Sequence, residues 1–194
     1  MKILRFFCLF IVISFIPIFN AFSIENPFFG DKNNQFGFNL GQAFESYDLL
    51  FLPEDPVPFN IIQIQYSQPH TFFRLPARQS IIIAHTIGYG KKHDSNNVEW
   101  NWTKYSIPMI SFAWDFAIPV TSKLYVGSGL NIGVQSQENE RMGTKLLSGF
   151  KFLLGFKIAD DWRMEILMHH YSNGSTAKEN YSYNFYELGL NYSF

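Results

Sequence analysis

Apolar residues alternate with polar or small residues along several stretches of the chain. The alternation is clearest from Ile110 to Ile118, where large apolar side chains are separated by Ser, Ala and Asp. A period of two is typical of a β-strand whose two faces meet different surroundings. The same pattern predicts four further strands in the second half of the chain, at 124–134, 150–158, 162–172 and 184–194.

The first half is less regular, but it supplies three more strand candidates, at 36–40, 62–66 and 81–89. Eight strands make the smallest common transmembrane barrel. Outer-membrane barrels have short periplasmic turns and longer external loops. The predicted connections alternate in this way, with short ones at 119–122 and 159–161 and longer ones at 91–104, 135–145 and 173–183. The segment 69–77 is the exception, since it is too long for a tight turn.

Alternation alone does not say which face of a barrel is apolar. A secreted lipocalin-like barrel would place apolar residues inside around a ligand cavity. Glycine and charge on the minor face, wide aromatic stripes and an alternating last strand that ends on Phe194 favour the opposite arrangement. The sequence therefore predicts an all-β, eight-stranded antiparallel transmembrane β-barrel in a bacterial outer membrane.

The N-terminus is typical of an export signal. Lys2 and Arg5 precede an apolar run from Phe6 to Phe19, which is too short for a transmembrane helix. A small-x-small pattern at 21–23 predicts cleavage after Ser23, giving a signal peptide at 1–23 and a barrel at 24–194. Cys8 would be removed, so we expect neither a disulfide nor a thiolate metal site in the exported protein.

Composition narrows the possible partners. Removal of Lys2 and Arg5 leaves 13 of 15 basic residues against 16 acidic ones, a net charge of −3, so we expect no nucleic acid partner. The histidines at 70, 85 and 93 have no metal-ligand spacing, and no metal is expected. Inward-facing charges predict a paired polar network that fills the barrel, formed by Asp115, Lys151, Lys157, Arg163, Glu165 and Glu187.

Candidate chemistry lies at the end of the seventh strand. His170 and Ser172 continue its apolar stripe, and Asn184 has the same parity on the eighth strand. If the N-terminus is periplasmic, these three residues meet at the outer rim and face lipid. Residues i and i+2 of a strand lie about 6.6 to 7 Å apart on one face, a gap that an imidazole can span. The arrangement suits acyl transfer by a nucleophile, a base and an orienting group. Two interfacial polar residues without a catalytic role would give the same pattern.

The run His170-Tyr171-Ser172-Asn173, followed by a loop and a last strand, resembles the lipid A 3-O-deacylase (PagL) family. This resemblance implies an eight-stranded outer-membrane enzyme that removes the ester-linked acyl chain at the 3-position of lipid A. It implies Ser172 as nucleophile and His170 as general base. It also implies an oxyanion hole formed by Asn173 and the backbone N–H of Gly174.

The chain departs from the family pattern at two positions. Gly174 stands where alanine is expected, and it keeps the backbone donor. The third member is commonly Glu, but spacing and face point here to Asn184, which can fix the histidine tautomer without offsetting its charge. Glu187 is the less favoured alternative because its parity points it into the barrel, and Glu179 lies in the loop.

The predicted function is a cofactor-free serine esterase that acts on lipid A of lipopolysaccharide in the outer membrane. Substrate acyl chains would lie along the barrel wall beside Trp162, Met164 and Met168. The alternative is a non-enzymatic small barrel with an adhesion or structural role. The patterns are compatible with a monomer and with a homodimer.

Overall fold

The computed structural model describes Phe28 and residues 34–45, 55–72, 75–92, 101–139, 141–178, 180 and 182–194. The predicted signal peptide lies outside this part of the chain. The described residues form eight strands: β1 (Gln35–Glu45), β2 (Asp55–Phe72), β3 (Leu75–Lys92), β4 (Asn101–Pro119), β5 (Leu124–Gln135), β6 (Leu146–Lys157), β7 (Trp162–Ser172) and β8 (Tyr183–Ser193). No helix among the described residues has the length and apolar character needed to cross a membrane.

The strands form a closed barrel in which every strand pairs antiparallel with its chain neighbours and β1 pairs with β8. Cα partners trace a path once around the wall, through Ile87, Asn60, Gln42, Tyr186, Met168, Phe152, Ser128, Phe116 and Ala77. The path starts and ends on β3 but is displaced by 87 − 77 = 10 residues. A displacement of this size corresponds to strands tilted by about 40°.

The two faces of the barrel confirm the predicted arrangement: the outer face is apolar, whereas the inner face combines polar and charged side chains with a buried apolar cluster. On β5, Leu130 and Ile132 are about half exposed, whereas Asn131 between them is only 4% exposed. The same alternation continues on β8, where Leu188 and Leu190 point outward. A lipocalin-like barrel would show the reverse order, so the structure excludes that alternative.

The connection between β2 and β3 corrects one prediction. Segment 69–77 was expected to be a long connection, yet Pro69 pairs with Arg78 and Phe72 pairs with Leu75. The two strands therefore continue almost to the turn. The apolar alternation ends earlier because residues 68–70 are Gln, Pro and His, all of them exposed. Connections at this end of the barrel are consequently short.

Charged side chains fill the half of the barrel nearer the short connections 120–123 and 158–161. The Arg78 guanidinium donates two hydrogen bonds to Glu165, at 2.9 and 2.8 Å, and one to Asp115 Oδ2 at 2.8 Å. Lys151 Nζ lies 2.9 Å from the same Asp115 oxygen, and the Tyr125 hydroxyl donates to Glu165 Oε1 at 2.8 Å. All five side chains are buried. Such a cluster is tolerated because each charge has an opposite partner.

A second interior cluster lies nearer the site. His169 Nδ1 lies 3.2 Å from Glu187 Oε1, and its Nε2 lies 3.1 Å from Asn131 Oδ1. Gln63 Nε2 also donates to Glu187, at 3.0 Å. Of the predicted network, Lys157 differs: it is not fully buried and pairs with the exposed Asp160 at the barrel end, 3.3 Å away.

The two ends of the barrel are distinct. Asn34 and Phe194 exchange backbone hydrogen bonds at the end that also carries the short connections 120–123 and 158–161. The longer connections 136–145 and 173–182 lie at the opposite end. In an outer-membrane barrel the short turns are periplasmic, so the opposite end faces outward.

Candidate active site

His170 and Ser172 occupy the outward end of β7, on the parity of the exposed Ile166. Antiparallel pairing places Asn184 of β8 directly opposite His170. The predicted convergence of the three residues on the lipid-facing rim therefore follows from the register. Alternation keeps His170 and Ser172 on one face, and the turn between β7 and β8 brings the third residue beside them.

The imidazole of His170 is held from two sides. Its Nδ1 lies 2.7 Å from Asn184 Oδ1, a short hydrogen bond to a side chain that is only 5% exposed. On the other side the Phe150 ring of β6 stacks on the imidazole, with centroids 4.8 Å apart and planes at 29°. With a carbonyl oxygen as acceptor, Nδ1 carries the proton. The Nε2 lone pair is then the one that can accept a proton from a hydroxyl.

Ser172 is half-buried on the same face. Its Oγ accepts a hydrogen bond from the backbone N–H of Gly174 at 3.3 Å. The chain turns here in the left-handed region, with φ of 61° at Gly174 and 65° at Ser175. Glycine adopts this conformation without a steric penalty, so Gly174 suits the turn although the family pattern has alanine at this position. The turn thus aims a backbone donor at the serine oxygen.

Asn173 is 3% exposed, and its side chain bonds both the connection that follows Ser172 and the connection between β5 and β6. Its Nδ2 donates to Met142 O at 2.6 Å and to Ala177 O at 3.5 Å, while its backbone N–H donates to Asn180 Oδ1 at 3.1 Å. Its Oδ1 accepts from Ser175 N at 2.8 Å. In this conformation the Asn173 amide is engaged with the two loops, and its role as an oxyanion donor stays a prediction. These bonds hold the turn after Ser172, and the Gly174 N–H donates to the Ser172 hydroxyl.

Of the two alternative carboxylates, that of Glu187 lies within the described residues. Glu187 faces the barrel interior, as its parity predicted, and its carboxylate contacts His169, Gln63 and Asn39. The barrel wall separates it from His170. Glu179 lies outside the described residues. Asn184 is therefore the side chain that the structure brings to the imidazole.

The three residues predicted to face substrate all lie on the outer surface, but at different depths. Met168 and Met164 are half-buried on the same face as Ser172. Trp162 lies ten residues below Ser172, about 33 Å along a strand tilted by about 40° and therefore about 25 Å in depth, whereas half of a bilayer core is about 15 Å thick. Trp162 packs on Tyr192 with ring centroids 4.9 Å apart, which is typical of the aromatic girdle at the inner interface.

Two neighbours of the site were missed by the sequence analysis. Phe150 stacks on His170, and Ser148 pairs across the sheet with Ser172. Both have the outward parity on β6, but a single sequence does not fix the register between two strands. Within the described residues, no group of three or more His, Cys, Asp or Glu side chains is arranged to hold a metal ion.

Comparison with known protein families identifies the family to which the chain is similar. The family model described as lipid A 3-O-deacylase (PagL) matches residues 71–193, which include the whole candidate site. No curated protein sequence matches the chain significantly.

Among solved structures, the outer membrane enzyme PagL is similar with a TM-score of 0.53 at 11% identity, covering 81% of this chain and 99% of that one. Neisserial surface protein A (NspA) is similar with a TM-score of 0.56 at 12% identity, covering 83% and 97%. At this level of identity the two structures support the fold alone. The barrel lies in the bacterial outer membrane, and because the family model matches more than half of its length, the chain belongs to the lipid A 3-O-deacylase (PagL) family.

Proposed function

We propose that this protein is a serine esterase that removes the 3-O-linked hydroxyacyl chain of lipid A in the outer membrane. The proposal rests above all on the 2.7 Å contact between His170 and Asn184, on the same outward face as Ser172. A hydroxyl, an imidazole and an amide that fixes its tautomer are the groups that acyl transfer requires. Family membership supplies the substrate class.

The reaction begins with attack of Ser172 Oγ on the carbonyl carbon of the ester, while His170 Nε2 takes the hydroxyl proton. Negative charge develops on the carbonyl oxygen, and we assign the Gly174 N–H, whose nitrogen lies 3.3 Å from Ser172 Oγ, as the hydrogen-bond donor to that oxygen. The tetrahedral intermediate then expels the sugar oxygen, which takes the proton from His170. Water attacks the resulting acyl-serine with His170 again as base, and a free hydroxy fatty acid leaves with Ser172 regenerated.

The substrate approaches within the outer leaflet. Ser172 lies on the outer surface of a wall whose exposed side chains are apolar, and Met168 lies directly below His170 on that face. An acyl chain can therefore follow β7 towards the membrane centre, past Met168 and Met164. Packed side chains fill the interior, so we assign the reaction to the outer surface of the barrel.

Replacement of Asn184 by Ala should reduce turnover by about tenfold to a hundredfold. Loss of a partner for a buried polar group costs about 1–3 kcal/mol, and each 1.4 kcal/mol changes a rate about tenfold. Asn184→Asp keeps the shape, supplies a carboxylate that offsets imidazolium charge, and should be at least as active as the wild type. Initial rates on purified lipid A measure both effects. Unchanged turnover in folded Asn184→Ala would remove this residue from the site.

The activity itself is tested by expression in an outer membrane whose lipid A carries 3-O-linked chains. Heat-modifiable gel mobility confirms the folded barrel, and mass spectra of extracted lipid A report the product. Loss of one 3-hydroxyacyl chain, with the free hydroxy acid recovered, is the expected result. Unmodified lipid A beside a fully folded barrel would favour the non-enzymatic alternative, since NspA, a surface protein, has a similar fold.

A further inference from the structure

The connection between β5 and β6 reaches across the outer end of the barrel to the turn that carries the candidate site. We call its described residues, 136–139 and 141–145, the clamp. Two of its members, Arg141 and Met142, are buried although they lie in a loop. Their burial shows that the clamp is packed against the protein, and its hydrogen bonds identify what it holds.

One side of the clamp holds the nucleophile end of β7. The carbonyl oxygen of Met142 accepts the 2.6 Å hydrogen bond from Asn173 Nδ2. Asn173 follows Ser172 directly, and its own carbonyl oxygen accepts from Thr176 Oγ1 at 2.7 Å. The position of Ser172 is thereby tied to a backbone atom of the clamp.

The other side of the clamp holds the start of β8. Arg141 donates to the carbonyl oxygen of Ser182 from Nε at 3.3 Å and from Nη2 at 2.9 Å. Ser182 has a φ of 49°, in the left-handed region that is unfavourable for a residue with a side chain. Asn139 Nδ2 donates to the Tyr183 hydroxyl at 2.7 Å. The next residue is Asn184, the partner of His170.

The clamp is itself fixed by local hydrogen bonds. Asn139 Oδ1 accepts from the backbone N–H groups of Arg141 at 2.9 Å and Met142 at 3.2 Å. Gln135 Nε2, at the end of β5, donates to Thr144 O at 2.6 Å. These bonds connect the two attachments of the clamp through its own backbone.

We infer that Arg141 is a positioning residue, which acts through the clamp to hold the Ser172 end and the Asn184 end of the site in register. The inference rests on the proposed function, because it assigns a cause to the geometry of that site. Arg141 does not touch the reacting atoms. It fixes the backbone of Ser182, which sets where β8 begins and hence where Asn184 meets His170. A misplacement of about 1 Å at a reacting group costs on the order of a hundredfold in rate.

Three variants test the role of Arg141. Arg141→Met keeps the length of the side chain and removes its donors, whereas Arg141→Lys restores one cationic donor. Lys145→Met is the matched control, since it removes an exposed cation from the same loop. In Arg141→Met we expect kcat on micellar lipid A to fall about tenfold to a hundredfold, with KM changed less than about threefold. Arg141→Lys should recover part of the loss, and Lys145→Met should match the wild type.

Amide hydrogen exchange rates of peptides covering 173–183 provide a second measurement on the same variants. Faster exchange there in Arg141→Met, but not in Lys145→Met, is the expected result. If Arg141→Met does not fold, Arg141→Lys and Asn139→Ala take its place. A folded Arg141→Met barrel with the kcat and exchange of an active wild type would overturn the inference alone. An inactive, folded wild type would overturn the proposed function and this inference together.

Discussion

Replacement of Ser172 by Ala is expected to lower lipid A deacylation by about 10³- to 10⁶-fold, the largest effect we anticipate for any single change. The proposed reaction has a covalent acyl-serine, and loss of a nucleophilic oxygen leaves only the rate that binding and charge stabilisation provide. The barrel should remain intact, because Ser172 is partly exposed and, among the residues that the structure describes, its Oγ accepts one 3.3 Å hydrogen bond, from the exposed Gly174. Single-turnover rates measured on purified, refolded protein quantify the loss.

Ser148→Ala is the matched control for this measurement. Ser148 faces the same side, is exposed and pairs with Ser172 across the sheet, so the two variants make the same chemical change on adjacent strands. We expect Ser148→Ala to keep its activity within about threefold of the wild type, because its Oγ has only a 3.5 Å contact with Ser172 O. Substantial deacylation by folded Ser172→Ala would assign the nucleophile to another residue.

Replacement of Arg78 by Met should destabilise the barrel by about 3–5 kcal/mol, the largest loss of stability that we expect. Arg78 is fully buried and contacts both Asp115 and Glu165. Removing one partner of a buried ion pair leaves charge without compensation where water is scarce. Lys151 would still pair with Asp115, so most of the cost should come from Glu165, which would keep only the Tyr125 hydroxyl among these contacts. Urea unfolding in lipid vesicles gives the free energy.

The double variant Arg78→Met with Glu165→Gln separates charge from packing. If uncompensated charge is the cause, neutralising Glu165 should recover part of the stability, whereas a pure packing defect would not improve. Lys123→Met, in an exposed turn, should change the stability by less than about 0.5 kcal/mol. A loss below about 1 kcal/mol in Arg78→Met would show that this cluster does not depend on its guanidinium.

Most of the fold could be predicted because side chains of a membrane barrel alternate between a lipid-facing and an interior position, which gives the sequence a period of two. The prediction failed where that signal ends. Residues 67–72 and 75–80 pair as strands at the exposed end of the β2–β3 hairpin, and two prolines interrupt them. Arg78 was overlooked for the same reason, because the residues before it show no alternation. Its side chain nevertheless forms buried ion pairs with Asp115 and Glu165.

In the candidate site, too, the strand residues could be predicted and the loop contacts could not. The parity of His170, Ser172 and Asn184 follows from strand periodicity, so the meeting of the imidazole with Asn184 could be anticipated from the chain. The orientation of the Asn173 amide and the contacts of Arg141 depend on loop conformation, which has no period. Stacking of Phe150 on His170 depends on register between β6 and β7, which a single strand does not specify.

His169 and His170 are adjacent in the chain, yet one imidazole is enclosed beside Glu187 and the other lies on the outer surface beside Asn184. Because side chains alternate strictly, inserting or deleting one residue within β7 would exchange the two environments for every residue beyond it. Divergent relatives should therefore accumulate length changes in their outer connections. Within strands, such changes should come in twos or be absorbed by a bulge, such as the irregularity between Gln42 and Phe44.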